Sequence, residues 1–288
     1  MNFLKKVFRS VKGRFLRKIR PYRGGVVILS RAIKNSLTSH FPNSGNWEPS
    51  AMKILGDVEQ FHRQLLKLHE IQETYKPLKA FKVNNSSTLK FGSKLSTSFV
   101  FHGSDKERNG YTEMYCTLID ELLSFPTENS IRYVLEIGIG SNNPSIPSNM
   151  GAKGSPGASL RAFRDLNSNL IVRGYDIDSR IMFREERIDT HVVNQRFLDS
   201  LDAELSEFSN FTFLLIDDGL HSPHANLNSL LCFIRFSKTG SILVIEDIPN
   251  RSKEIWLLVH ILLDNRKFQC SFFSSNRGGQ AFICKNID

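Results

Sequence analysis

From Ile131 onward the chain alternates short apolar runs with helix-patterned segments, and this alternation constrains the fold more than any other feature. The expected strands are Tyr133–Ile137, Leu170–Tyr175, Thr190–Val193, Thr212–Ile216, Ser241–Ile245, Phe268–Phe273 and Gln280–Cys284. Two of the runs, FTFLLI and SILVI, are unbroken, as in strands covered on both faces. Helical segments are expected at Ala158–Leu166, Ala225–Phe236 and Lys253–Leu263. Such alternation predicts a doubly wound α/β fold around a mostly parallel, seven-stranded sheet. Only Ser274-Ser275-Asn276-Arg277-Gly278-Gly279 separates the last two strands, which predicts a hairpin and an antiparallel edge.

The segments before this domain are of two kinds. Residues 1–24 hold nine basic side chains and no acid; removing them from the 38 Lys+Arg of the chain leaves 29 against 29 Asp+Glu. The formal charge of +9 therefore belongs to a short tail, which argues against a protein basic throughout, and no nucleic-acid partner is expected. Leu4, Val7, Phe8, Val11, Phe15 and Ile19 give the tail an apolar helical stripe, ended by Pro21 and Gly24-Gly25. A basic amphipathic helix of this kind suits an anionic membrane surface; packing against the body or a partner is the alternative.

Residues 25–100 form an N-terminal extension of undefined structure, and the main domain is assigned to 101–288. Within the extension, Asn43–Ser50 reads as a loop and Asn84–Ser98 as a loop or linker, while Ile54, Val58, Phe61, Leu65 and Leu68 make a packing stripe. Tyr111, Met114, Tyr115, Leu118 and Leu122 line a further helix ending before Pro126. No apolar run approaches the roughly 18 to 20 residues of a membrane span. Cys116, Cys232, Cys270 and Cys284 are isolated, as expected for buried thiols in a reducing cytoplasm. A cytoplasmic protein is expected, peripheral to a membrane if the tail binds one; self-association is left open.

In a doubly wound sheet, ligands bind beyond the carboxyl ends of the strands. The first strand ends in Glu136-Ile137-Gly138-Ile139-Gly140, whose glycines allow a tight turn and close backbone approach. Asn143 stands where a dinucleotide fingerprint has its third glycine, which argues against NAD and for another nucleoside ligand. The second strand ends in Asp176-Ile177-Asp178, and an acid there can accept hydrogen bonds from ribose hydroxyls. Two later strands end in Asp217-Asp218-Gly219-Leu220-His221 and in Glu246-Asp247. Neighbouring strands lie about 5 Å apart, so Asp218, Glu246 and Asp247 would crowd together unless a cation sits among them. Oxygen ligands of this kind suit Mg²⁺ or another hard divalent ion.

Glycine loop, strand and acid in this order resemble the class I S-adenosylmethionine-dependent methyltransferases, a Rossmann-like group, over about residues 131 to 284. The resemblance implies that Glu136, Gly138 and Gly140 shape a cofactor pocket and that Asp176 binds the ribose, with Asp178 its rival. Asn194 and Gln195 would approach the adenine, and Asp217 is counted with the cofactor side. D-D-G-x-H followed by E-D is similar to the macrocin and mycinamicin O-methyltransferases and the cephalosporin hydroxylase group. That likeness implies Asp218, Glu246 and Asp247 as Mg²⁺ ligands, with Asp217 the alternative to Asp218, and His221 as general base. Leu220 departs from the Ser common there. Gly103-Ser104-Asp105-Lys106 and Tyr111 resemble a segment often found upstream of the catalytic core in this group.

The activity so implied is Mg²⁺-dependent transfer of a methyl to a sugar hydroxyl of a glycosylated metabolite or surface glycan. A metal lowers the pKa of a chelated hydroxyl, and an imidazole suits removal of its proton. A hydroxylase-like activity and a non-catalytic membrane-surface or nucleic-acid module are the alternatives. The long loop Ser141–Gly157 would supply a lid or acceptor platform. His224, beside Pro223, is expected to start a helix and be structural, and Arg161 and Arg164 to pair with Asp165 or solvent.

Overall fold

The computed structural model describes residues 64, 79–83, 90–127, 130–249, 252–263 and 267–288. The basic helix expected over 1–24, the loop at 43–50 and the apolar stripe between Ile54 and Leu68 lie outside the described residues. Among the described residues, nine strands form one sheet. In chain order the elements are β1 (Lys79–Ala80), α1 (Gly92–His102), α2 (Thr112–Ser124), β2 (Arg132–Ile137), α3 (Ala158–Leu166), β3 (Leu170–Asp176), β4 (Arg184–Glu185) and β5 (Ile188–Val192). They continue with α4 (Leu198–Leu205), β6 (Phe213–Asp217), α5 (Pro223–Phe236), β7 (Ile242–Ile245), α6 (Lys253–Leu263), β8 (Phe268–Ser274) and β9 (Gln280–Asn286).

The strand order is β1-β8-β9-β7-β6-β2-β3-β5-β4. Strands β7, β6, β2, β3 and β5 are parallel, while β9 runs antiparallel to both β7 and β8. The expected mostly parallel sheet with an antiparallel terminal hairpin is therefore present, and the seven expected strands all occur. Two short strands were not expected: β1, parallel to β8, and β4, antiparallel to β5. Each has two residues, too few for a period-2 signal.

Alternate residues of each central strand enter opposite cores. Leu135, Leu215, Leu243 and Ile245 pack under residues of α4, α5 and α6. Val134, Leu214, Ile216, Ile242 and Val244 pack under α1, α2 and α3. Burial on both faces is why FLLI and ILVI are continuously apolar.

The sequence expectation of a loop or linker over Asn84–Ser98 is corrected in its described part, where α1 runs from Gly92 to His102. Phe91, Leu95 and Phe99 are spaced by four and are buried, so one face of a Ser- and Lys-rich segment docks on the core. Helix α2 carries the expected stripe, with Tyr111 just before it; all five residues are fully buried. The four cysteines are buried free thiols. Among the described residues no helix is long and apolar enough to cross a membrane.

Candidate active site

The site is set by strand register. Ile137 lies level with Tyr175 and with Asp217, and Asp217 with Ile245. The hydrogen-bond ladder continues one step past these ends. Gly138 N donates to Tyr175 O at 2.7 Å, Asp218 N to Ile137 O at 2.9 Å, and Glu246 N to Asp217 O at 2.9 Å. Gly138, Asp218 and Glu246 thus leave the sheet side by side. This is also where the topology reverses, with β3 on one side of β2 and β6 on the other.

The glycine loop is needed for close approach. Gly138 has φ +86°, and a Cβ there would lie 2.3 Å from Asp218 O and 2.5 Å from Gly219 Cα. A backbone obstacle cannot move aside, so only glycine fits. At Gly140, φ +88°, the nearest obstacle is the side chain of Met150, with Cε at 2.5 Å.

A buried lysine organises the acids. Lys106, in the turn between α1 and α2, is 1% exposed. Its Nζ lies 2.5 Å from Glu246 Oε1, 2.9 Å from Asp218 Oδ2 and 3.1 Å from Glu136 Oε1. Burial alone would lower the Lys106 pKa, but Asp218, Glu136 and Glu246 outweigh it and hold the ammonium well above its usual value. Burial, reinforced by the Asp218 charge, pushes Glu246 up, and burial also raises Asp218 and Glu136 against the pull of Lys106. Tyr115 donates to Glu246 Oε1. Tyr111 donates to Asp247 Oδ1 at 2.8 Å, and its oxygen accepts from Asp247 N at 3.1 Å. Burial first, then Glu246 and Asp247, keeps the Tyr111 phenol protonated.

On the cavity side, Asp218, His221 and Asp247 each offer a ligand atom within 4.8 Å of the others. Asp218 Oδ1 lies 3.8 Å from His221 Nε2. The Nδ1 of His221 is buried and has no hydrogen-bond partner among the described residues. His221 and Asp247 adopt left-handed backbone, φ +50° and +51°, as does Ser148 at +58°. Such conformations cost on the order of 1–3 kcal/mol each in a non-glycine residue, and here all three line one cavity. The donor set fits a hard divalent cation held by one or two carboxylates and otherwise open. Asp218 Oδ1 and Asp247 would hold it, with His221 beside them.

Two cavities meet at this edge. The larger, about 290 Å³, is lined by Ser104, Asp105, Lys106, Met150, Ser159, Asp218, His221 and Asp247, among others. The smaller, about 140 Å³, is lined by Asp176, Ile177, Val193, Asn194, Gln195 and Leu220, with Ile146 and Pro147 from the long loop. Gly138, Gly140, Ser148 and Asp218 line both. The long loop therefore walls both cavities, tied down by Asn142 Nδ2 to the carbonyls of Gly151 and Gly154 and by Ser148 Oγ to Leu220 O.

The predicted residues divide accordingly. Gly138, Gly140, Asp176, Asn194 and Gln195 face the smaller cavity. Asp176 accepts from Ile139 N at 3.1 Å and Asp178 N at 3.0 Å, and burial raises its pKa. Asp178 lines neither cavity described; Arg180 and Ser141 hold its carboxyl well below the usual range. Gln195 is committed inward, donating to Asp217 Oδ1 at 2.6 Å and accepting from Leu220 N at 3.0 Å. Asp217 is fully buried, its other oxygen accepting from Asn226 at 3.0 Å. Glu136 accepts from Ser159 at 2.6 Å and meets Lys106; neither Glu136 nor Asp217 lines either of the two cavities described.

The structure does not bring Glu246 into the group with Asp218 and Asp247 but turns it onto Lys106 and Tyr115. His224 is buried at the start of α5, with Ser222 Oγ 3.2 Å from its Nδ1. Arg161 pairs with Glu185, and Arg164 with Glu185 and Asp165. The roles of Lys106, Tyr111 and Tyr115 were missed, although Lys106 and Tyr111 belong to the segment whose resemblance was noted.

The doubly wound sheet thus carries at its switch point a glycine loop, an acid at the end of the next strand and an acid–histidine cluster. No family model matches the chain, and no curated protein matches it. Among solved structures it is similar to S-adenosylmethionine-dependent methyltransferases. One is the MycE methyltransferase from the mycinamycin biosynthetic pathway in complex with Mg and SAH: 26% identity, TM-score 0.43, 54% of this chain and 37% of that chain. The same methyltransferase with Mg, SAH and mycinamycin VI gives 25% identity and TM-score 0.43 over the same shares. A SAM-dependent methyltransferase from Anabaena variabilis gives 12% identity and TM-score 0.38 over 74% of this chain and 100% of that chain. The likeness to MycE thus spans well under half of that chain.

Proposed function

We propose that the chain is an S-adenosylmethionine-dependent O-methyltransferase that acts, with Mg²⁺, on a sugar hydroxyl of a glycosylated metabolite or glycan. The observation that carries this reading is the meeting of the two cavities at Gly138, Gly140 and Asp218. One cavity has the nucleoside-binding features and the other an imidazole beside two carboxylates. The lining of the larger is rich in hydroxyl and carboxylate groups and has no Phe, Tyr or Trp among the described residues, which suits a polyhydroxyl acceptor over a flat aromatic one. The Mg²⁺ that MycE carries in its complexes is taken over to this chain as part of the proposal.

In this mechanism Asp176 accepts from the ribose hydroxyls, and the backbone at Gly138 and Gly140 lets the nucleoside lie against the sheet edge. His221 takes the proton of the acceptor hydroxyl as its oxygen attacks. Asp218 and Asp247 would hold the divalent ion, and Tyr111, which donates to Asp247, fixes that carboxylate. When bound, the ion supplies Lewis acidity to the hydroxyl, and S-adenosylmethionine supplies an electrophilic methyl. Alignment of hydroxyl and methyl across the shared wall provides much of the acceleration.

The oxygenase alternative calls for two histidines and one carboxylate, whereas this cluster has one histidine and two carboxylates. The test is turnover of S-adenosylmethionine with a panel of glycosylated acceptors, with and without EDTA. Sugar-dependent formation of S-adenosylhomocysteine that EDTA abolishes is the expected result. Absence of calorimetric S-adenosylhomocysteine binding would overturn the reading, and activity indifferent to EDTA would remove its metal part.

A further inference from the structure

Glu246 and Asp247 follow one another at the end of β7, yet they face different partners. Glu246 is 3% exposed, and its Oε1 receives both Lys106 Nζ, at 2.5 Å, and the Tyr115 hydroxyl. Asp247 turns through φ +51° to face the larger cavity. Asp218 is divided between the two sides: Oδ2 meets Lys106 at 2.9 Å, and Oδ1 lies 3.8 Å from His221 Nε2. Lys106 Nζ donates to Asp218 Oδ2 and Glu246 Oε1 and stands in ion-pair contact with Glu136 Oε1 at 3.1 Å.

We propose that Lys106 is a built-in cation that withholds Glu246 and one oxygen of Asp218 from any divalent ion, confining that ion to Asp218 Oδ1 and Asp247 at the cavity face. The proposal rests on the metal part of the function above and goes beyond it in assigning Lys106 as the residue that selects the ligands. The physical reason is direct. An ion placed on Glu246 Oε1 would meet the ammonium already there, and two cations in a buried site repel strongly. The segment carrying Lys106 comes from the α1–α2 turn, outside the strand ends, and lines the larger cavity beside Asp218 and Asp247. Lys106 is thus a positioning residue, acting on the ion through the carboxylates it occupies.

The test is calorimetric titration of Mg²⁺ into the chelator-treated full chain, with S-adenosylhomocysteine binding and thermal melting measured on the same samples. Glu246→Gln is expected to leave Mg²⁺ affinity within about threefold, whereas Asp247→Asn weakens it roughly 10- to 100-fold, the range for altered metal-site partners. Lys106→Met, where it folds, frees Glu246 and tightens Mg²⁺ by about tenfold or more, because a like charge a few ångströms from the ion is removed. A loss with Glu246→Gln as large as that with Asp247→Asn overturns the proposal while leaving the metal reading intact. Absence of Mg²⁺ binding in every variant, with S-adenosylhomocysteine still bound, overturns both the proposal and the metal reading but not methyl transfer. Because Glu246→Gln keeps Lys106 among its other carboxylates, the decision does not depend on the lysine variant folding.

Discussion

The two cavities at the strand edge are built by opposite means. The smaller is made by backbone: glycines at positive φ, a ladder of main-chain hydrogen bonds, and side chains such as Gln195 that are spent on the fold. The larger is made by charge. Four carboxyl groups, from Glu136, Asp218, Glu246 and Asp247, gather with one ammonium, two phenols and one imidazole. A site of the first kind should fail when its shape is changed, and one of the second kind when its charge is changed. Asp218 stands at the boundary, lining both.

The largest effect is expected on the charged side. Lys106→Ala leaves Glu136, Asp218 and Glu246 facing one another without their ammonium in a buried place. Removing one partner of a buried ion pair costs about 3–5 kcal/mol, and denaturant unfolding should show a loss of that size. A loss below about 1 kcal/mol would mean that the carboxyls relax into the cavity, and the contrast between the two sites would weaken. Next comes His221→Ala, expected to lower kcat by roughly 10²- to 10⁴-fold, the usual contribution of a general base. Affinity for S-adenosylhomocysteine should hold in the same variant, since His221 lines only the larger of the two cavities. A fall in both would show that the cavities do not act separately.

What could be read beforehand follows the same division. The sheet, the glycine loop and the acids at the strand ends were legible because strand period and helix period are local signals. Asp176 and Asp217 were placed one residue past the expected strand ends and prove to be the last residues of β3 and β6, with Asp217 level with Tyr175, one residue before Asp176. Helix α1 was missed because its Ser and Lys content outweighed the four-residue spacing of Phe91, Leu95 and Phe99. Lys106 was quoted within a resemblance, but its role depends on burial against residues 30 to 140 positions away, and no local pattern carries that. Nor could adjacent acids be told apart. Asp217 and Asp218, and likewise Glu246 and Asp247, differ in direction because of turns at the strand ends, including the left-handed residue at Asp247.

On the backbone side, Gly138→Ala should act through shape alone. Its Cβ would meet main-chain atoms of Asp218 and Gly219, so the D-D-G loop has to shift, and with it both cavities. A displacement of about 1 Å near reacting groups costs on the order of 100-fold in kcat/KM. Gly140→Ala makes the sharper comparison, because the obstacle there is the flexible end of Met150. A milder loss at Gly140, with the same left-handed φ, would separate the steric part of the effect from the conformational part. Equal losses would assign both to backbone strain.

The smallest effect decides between two acids two residues apart. Asp176 lines the nucleoside-side cavity, and its carboxylate is held by the amides of Ile139 and Asp178. Asp178 instead ties Ser141, at the start of the long loop, to Arg180, which is mostly exposed. Asp176→Asn keeps the volume but removes the charge that a pair of ribose hydroxyls would meet. Hydrogen bonds to a charged acceptor contribute about 1.5–3 kcal/mol, so S-adenosylhomocysteine should bind roughly 10-fold or more weakly by calorimetry. Asp178→Asn leaves an acceptor for Ser141 and loses only a solvent-screened ion pair, so affinity should change by less than about threefold. A reversal of this order would move the ribose contact from Asp176 to Asp178. It would also make the loop anchor, rather than the strand end, the element that defines the nucleoside side of the cleft.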